Sequence, residues 1–223
     1  MNEAECMGRL TASATHDLRN VLAAIRESVG LVQDILELPD PAGRVDRMRK
    51  ALRDVQQQVA HGAELAEGMA YLAQCGAQGE GASAAETRCD LARVTRDFCR
   101  MAARRGKACA LALEDMPPPE PILTDADPLE VFGALLGVFD ACAAVGGGAR
   151  VRLGAVRRGR ATGILCEVDP EGTNVDMVIS ALTGCPLLHP ENAGWAARLL
   201  PWRDAGARRF LLPVSGPDAD GKK

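Results

Sequence analysis

A histidine flanked by polar side chains is the part of this sequence best suited to chemistry. His16 is followed by Asp17 and, one helical turn further on, by Asn20. A neutral imidazole is a nucleophile near neutral pH, and an adjacent carboxylate can orient the ring and stabilise the charge that develops on it. A lone exposed histidine is more often an ordinary surface residue, so the flanking residues carry the prediction that His16 is catalytic.

The element that must position His16 is a long N-terminal helix. Residues 3–38 carry small and apolar side chains at steps of three and four, which is typical of a helix packed in a bundle. These positions are Leu10, Ala14, Leu18, Val21, Ile25, Ser28, Val32 and Ile35, all of them apolar except Ser28. Leu22, Val29 and Leu36 widen this stripe, so the helix is expected to meet more than one neighbour. At about 100° per residue, Ile25 lies opposite His16. The imidazole should therefore point to solvent.

A second helix follows the break at residues 39–41, where two prolines flank Asp40. Its pattern extends to about Cys75 and comprises Val45, Met48, Leu52, Val55, Val59, Gly62, Ala66 and Met69. Two antiparallel helices cannot bury such wide faces alone, which predicts pairing with a second copy in a four-helix bundle. Residues 76–83 have the composition of a flexible linker.

The remaining chain alternates helices and strands. The patterns predict helices at Leu91–Arg105, Asp127–Val145 and Glu191–Leu200, and strands at Ala108–Leu113, Arg150–Val156, Thr162–Val168 and Arg209–Val214. Asp127 and Pro128 are suited to the N-cap and first turn of their helix. The predicted fold class is α+β, with a helical hairpin over residues 1–77 and an α/β domain over residues 86–215.

The segment Thr15–Leu22 resembles the H-box of two-component histidine kinases, whose pattern is Ser/Thr-His-Glu/Asp-Leu-Arg/Lys-Thr/Asn-Pro-Leu. Every position matches except Val21, which replaces the proline. The resemblance covers residues 1 to about 75. It implies that the hairpin dimerises into a four-helix bundle and that His16 is phosphorylated.

The second domain resembles the ATP-binding domain of these kinases but lacks its ligands. Gly137 and Ala141 stand where that family has two asparagines, one of which ligates Mg²⁺, and neither residue offers a side-chain oxygen. In the loop that grips adenine, Asp169 is present but Glu171 and Thr173 replace glycines, and the glycine-rich lid is missing near residues 192–195. We expect a degenerate ATPase-like α/β sandwich that binds no cofactor.

An intact H-box hairpin joined to a degenerate ATPase-like domain is similar to the ChpT type of histidine phosphotransferase. The resemblance implies a homodimer that relays phosphoryl groups through His16 between response-regulator receiver domains, with a hybrid histidine kinase upstream and Mg²⁺ on the receiver. The catalytic candidates are His16, Asp17 and Asn20, and the partner-binding candidates are Arg19, Ala23, Arg26 and Glu27. Arg19 would attract phosphoryl oxygens or be a solvated charge, and Asn20 would polarise a water or be merely exposed.

Two other functions remain open at this point. The chain could be an atypical histidine kinase, which would bind ATP and phosphorylate itself. It could also be a non-catalytic dimeric scaffold that binds a kinase or a regulator, and would do so equally well without His16.

The composition excludes several classes of partner. Net charge is −4 and no basic stripe interrupts the mixed charges, which argues against nucleic acid. No signal peptide or run of about 20 apolar residues is present, which predicts a cytoplasmic protein without membrane contact. The eight cysteines lie far apart and form no CxxC pair, which predicts reduced thiols in the core. His61 is expected near the core side of the second helix, and His61, His189, Trp195 and Trp202 are predicted to have structural roles.

Overall fold

Two long antiparallel helices form the N-terminal part of the chain. The computed structural model describes residues 3–37, 43–77, 89–145, 148–158, 161–169, 202–203 and 209–215. Helix α1 spans Glu3–Glu37 and α2 spans Arg44–Ala77, so both predicted helices are confirmed. A Cβ atom added to Gly62 would lie 3.1 Å from Cγ1 of Val21, which places these two residues opposite each other.

An α/β domain follows the hairpin. Its elements are β1 (Cys89–Asp90), α3 (Leu91–Ala108), β2 (Ala112–Asp115), β3 (Leu123–Thr124), α4 (Pro128–Val145), β4 (Arg150–Arg158), β5 (Ala161–Asp169), β6 (Trp202–Arg203) and β7 (Arg209–Ser215). Among the described residues, five strands form one sheet in the order β2-β4-β5-β7-β6, in which only the β2–β4 pair is parallel. β1 and β3 form a separate antiparallel pair. The α+β fold class is confirmed.

Local sequence explains where α3 and α4 begin. The carboxylate of Asp90 accepts a hydrogen bond from the Ala92 amide at 3.0 Å, and that of Asp127 accepts one from the Leu129 amide at 2.8 Å. Each aspartate thus satisfies an amide that has no partner within its helix. The predicted cap at Asp127 is confirmed.

The end of α3 differs from the prediction. The helix continues to Ala108, so the strand expected at Ala108–Leu113 begins only at Ala112. Between them the chain turns back sharply: the Leu111 amide donates to the Gly106 carbonyl at 2.8 Å, and Ala110 has a φ of 54°. The short strands β1, β3 and β6 were not predicted. The linker was expected at residues 76–83, but residues 76 and 77 belong to the last turn of α2. The rest of the expected linker and the expected helix at 191–200 lie outside the described residues.

One hydrophobic core joins the hairpin to the α/β domain. It contains Leu10 and Ala14 of α1 and Leu65 of α2, together with Phe98 of α3 and Phe132 of α4. Six cysteines are buried as predicted, whereas Cys109 is exposed in the turn after α3, and Cys185 lies outside the described residues. Within the described ranges, no helix combines the length and apolarity needed to cross a membrane.

The turn after α3 leaves no room for a side chain at Gly106. A Cβ atom there would lie 2.5 Å from the Leu111 carbonyl oxygen. We therefore expect Gly106→Ala to lower the free energy of unfolding by about 1–3 kcal/mol. Gly8, on α1, has no atom within 4 Å of its added Cβ, so Gly8→Ala should raise stability by about 0.5–1 kcal/mol. Urea denaturation measures the change in stability of each variant. Equal changes for Gly106→Ala and Gly8→Ala would contradict the close approach of Gly106 to the Leu111 carbonyl oxygen.

Candidate functional site

His16 lies exposed on α1, as the helical pattern predicts. Its Nδ1 atom is 3.3 Å from the side-chain amide of Asn20, one turn further along the helix. Because Asn20 occupies the Nδ1 side of the ring, Nε2 is the nitrogen that remains for an incoming group. The nitrogen and oxygen of an asparagine amide can be exchanged by a flip, so this contact accommodates either ring tautomer.

Asp17 faces the α/β domain. Its side chain is 14% exposed, and its Oδ1 atom lies 3.9 Å from Nη1 of Arg104 on α3. Burial raises the pKa of Asp17 above its ordinary value, while the positive groups of Arg104, His61, His16 and Lys107 oppose that rise. The sequence predicted that Asp17 orients the imidazole, but the residue at hydrogen-bond distance from a ring nitrogen is Asn20.

The predicted partner-binding residues all lie on α1 near His16. Arg19, Arg26 and Glu27 are exposed, and Ala23 is half-buried. Ala23 and Glu27 share the His16 side of the helix, at about 100° per residue. The four residues therefore form a continuous surface with His16 that an incoming protein can contact.

The α/β domain brings to this site a cation that the sequence analysis missed, Arg104, which lies near Asp17. Arg93, Arg100 and Arg104 line the side of α3 that faces the hairpin: Arg93 lies over the Tyr71 ring at 4.0 Å, and Arg100 pairs with Glu64 at 3.0 Å. Their spacing of seven and four residues was visible in the sequence. Nothing in the sequence alone showed that this face of α3 packs on α1 and α2.

Helix α4 offers no side-chain oxygens at the two positions where the kinase resemblance places asparagines. Gly137 and Ala141 are both buried in the core. The neighbouring carboxylate of Asp140 instead accepts hydrogen bonds from Arg9 at 2.6 Å and Arg105 at 3.4 Å, which links α1 to α3 and α4. The loop at 171–173 and the lid at 192–195 lie outside the described residues.

The prediction that His61 has a structural role near the core of the hairpin is wrong about its location. His61 is exposed on α2, because the second helix turns its neighbour Gly62 toward Val21. Its charge acts on Asp17, which places it at the edge of the site. His189 and Trp195 lie outside the described residues, and Trp202 lies in β6.

Comparisons with known proteins return similar structures but no sequence match. No protein-family model and no curated protein matches the chain. The Acinetobacter baumannii histidine kinase AdeS is similar over 90% of this chain and 98% of its own, at 11% identity and a TM-score of 0.39. A bacterial phosphotransferase is similar over 96% of this chain and 98% of its own, at 13% identity and a TM-score of 0.39.

Histidine kinase ThkA in complex with the response regulator TrrA is also similar, over 95% of this chain and 63% of that chain, at 13% identity and a TM-score of 0.36. At these TM-scores the similarities carry no argument about function. The function proposed below therefore depends on the residues of the site.

The raised pKa of Asp17 predicts how a neutral variant behaves. The folded protein holds the Asp17 proton more tightly than the unfolded chain does, so ionisation of this group removes stability as the pH rises through its folded pKa. We expect Asp17→Asn to be more stable than the wild type at neutral pH. This difference in stability between the variant and the wild type should vanish at pH values below the ordinary pKa of aspartate. Thermal denaturation at a series of pH values measures it, and a loss of stability at neutral pH would contradict the prediction.

Proposed function

We propose that this chain is a histidine phosphotransferase of two-component signalling, which relays a phosphoryl group between response-regulator receiver domains through His16. The observation that carries the proposal is an exposed imidazole on a packed helix, with Asn20 at Nδ1 and the Asp17 carboxylate next in sequence. The resemblance of Thr15–Leu22 to the H-box supplies the phosphoryl chemistry.

The reaction requires Nε2 of His16 to carry a free electron pair. Nδ1 then bears the proton, and this N–H group donates a hydrogen bond to the amide oxygen of Asn20, with the amide in its flipped orientation. Nε2 attacks the phosphorus of the receiver's phosphoaspartate, the P–O bond to the aspartate breaks, and the carboxylate remains with the receiver. The ring becomes positively charged, and Asp17 stabilises that charge. The reverse sequence delivers the phosphoryl group to a second receiver.

The receiver would dock on the surface formed by His16, Arg19, Ala23, Arg26 and Glu27. Two arginines beside the histidine suit the acidic pocket in which a receiver holds its phosphoaspartate and Mg²⁺. The chain itself needs no metal or nucleotide for this transfer. The buried Gly137 and Ala141 support that part of the proposal, since neither has a side-chain oxygen for Mg²⁺.

Two alternatives make different predictions. A histidine kinase would bind ATP and label His16 directly, which titration calorimetry with Mg²⁺-ATP and incubation with labelled ATP would reveal. A scaffold would bind its partner without ever carrying phosphate. The exposed imidazole and its amide partner favour the phosphotransferase over the scaffold, because a scaffold requires neither.

A second copy of this chain is the proposed partner of the hairpin. The feature that supports it is a set of apolar side chains that are spaced seven residues apart on each helix and are 45% to 65% exposed, namely Leu22, Val29, Leu36, Val45, Leu52 and Val59. We call these six residues the dimer face. Since Gly62 lies opposite Val21, the antiparallel alignment brings Leu52 near the level of Val29. Such a heptad seam matches a four-helix bundle.

Charges placed in the dimer face should separate the subunits. We expect Val29→Glu combined with Leu52→Glu to yield a monomer, because complete burial of each apolar side chain is worth about 1.5–3 kcal/mol and a buried unpaired carboxylate opposes association. Leu123→Glu is the matched control, since Leu123 is 44% exposed but lies on β3 of the α/β domain, outside the dimer face. Light scattering gives the mass. A monomeric wild type, or a double variant that stays dimeric, would contradict the proposed assembly.

Removal of the imidazole tests the proposed function directly. His16→Ala should change the free energy of unfolding by no more than about 0.5 kcal/mol, because the side chain is exposed. It should still bind receiver domains, yet carry no acid-labile phosphate and transfer none between phosphorylated and unphosphorylated receivers. Arg19→Ala is the comparison: it should raise the receiver concentration needed for half-maximal transfer while leaving His16 able to react. Transfer at the wild-type rate by His16→Ala would falsify the proposal.

A further inference from the structure

Arg104 connects the α/β domain to the histidine site. It lies in the last turns of α3, and its Nη1 atom is 3.9 Å from Oδ1 of Asp17 on α1. At this distance the two groups interact through their charges rather than through a hydrogen bond. The guanidinium is 42% exposed, and its ion pair with Asp17 is its one polar contact with the described part of the chain.

The packing of α3 holds Arg104 in this position. One turn earlier, Arg100 pairs with Glu64 of α2 at 3.0 Å, but both side chains are partly exposed, so this pair adds little to the docking. Another turn earlier in α3, Asp97 packs against Gly68, where an added Cβ would lie 3.5 Å from the Asp97 Cβ. The absence of a side chain at Gly68 allows the two helices to approach closely. Arg104 is therefore positioned by the docking of the whole domain on the hairpin.

Asp17 is surrounded by basic side chains from three helices. Arg104 and Lys107 belong to α3, His61 to α2, and His16 to the same helix as Asp17. Arg104 opposes the effect of burial most strongly among them. An ionised carboxylate beside His16 stabilises the positive ring that forms when Nε2 bonds to phosphorus, whereas a protonated carboxyl group does not.

We infer that Arg104 is a positioning residue for phosphoryl transfer, which keeps the Asp17 carboxylate charged and in place beside His16. The inference rests on the proposed function. It gives the α/β domain a part in the chemistry of a histidine that lies on another domain. Arg104 acts through Asp17, and the reacting atoms remain those of His16 and the phosphoryl donor.

The experiment measures phosphorylation of His16 in the full chain by potassium phosphoramidate across about pH 5 to 8, the range in which histidine changes charge. The P–N bond of the reagent breaks, Nε2 bonds to phosphorus and ammonia leaves, so no receiver is needed. Rates are divided by the wild-type rate at each pH, which cancels ionisation of the reagent. The variants are Arg104→Gln, Arg104→Met, Arg104→Lys and Asp17→Asn. Arg100→Gln is the matched control, because it removes another ion pair between α3 and the hairpin.

Loss of the Arg104 charge should slow labelling by about threefold or more, within the range of coupling between contacting residues. The loss should be largest at the acid end of the profile, because Asp17 takes up a proton more readily without the neighbouring cation. Arg104→Lys should restore the wild-type profile, and Arg100→Gln should retain it. In an Asp17→Asn background, Arg104→Gln should have no further effect.

Identical profiles for Arg104→Gln and Arg100→Gln, or a further loss in the Asp17→Asn background, would overturn the inference and leave the proposed function standing. If the wild type takes phosphate on His16 neither from phosphoramidate nor from phosphorylated receivers, both the inference and the proposed function are overturned. Arg104→Met keeps the aliphatic part of the side chain and replaces Arg104→Gln in the comparison if the latter does not fold.

Discussion

The burial of Ala14 is the constraint on which the position of the site depends. Ala14 is 0% exposed and belongs to the core that α1 shares with α2, α3 and α4. Two residues along a helix correspond to a rotation of about 200°, so a buried Ala14 turns His16 outward. Leu10, four residues earlier, is 2% exposed and fixes the same rotation. The exposure of the imidazole thus follows from packing on the opposite side of α1.

The same core determines which side of α3 meets the hairpin. Phe98 and Met101 are completely buried, and the arginines of α3 lie along the boundary between this core and solvent. A long arginine side chain can cover apolar surface with its methylene groups while its guanidinium reaches a carboxylate or a ring. Arg93 over Tyr71 is such a case. Through this packing the α/β domain places the charge of Arg104 next to Asp17, the residue that follows His16.

The sequence predicted the parts of the structure that depend on periodicity and caps. Both hairpin helices, the cap at Asp127 and the β4–β5 pair were within reach because each depends on residues that are close in sequence. The start of β2 was not, because the tight turn after Gly106 depends on a backbone contact with Leu111 that no pattern encodes. Arg104 was missed for a related reason: its contact with Asp17 depends on how α1 and α3, which the whole of α2 separates in the sequence, dock together. Cys109 was assigned to the core because its apolar surroundings resemble a strand, yet it lies in that turn.

Two features of the hairpin are unfavourable in the isolated chain, and both are explained by what the hairpin must contact. Burial raises the pKa of Asp17, so its ionised form is less favourable in the folded state than in water. The dimer face exposes apolar side chains that the hairpin cannot cover, Leu22 to the extent of 65%. An apolar residue at position 17 would avoid the burial of a charge, and a polar residue at position 22 would avoid the exposure of an apolar side chain. Natural sequences keep such costly residues where activity or association requires them. The positions of both features, one beside His16 and the other along the hairpin, are those at which a phosphotransfer dimer would require them.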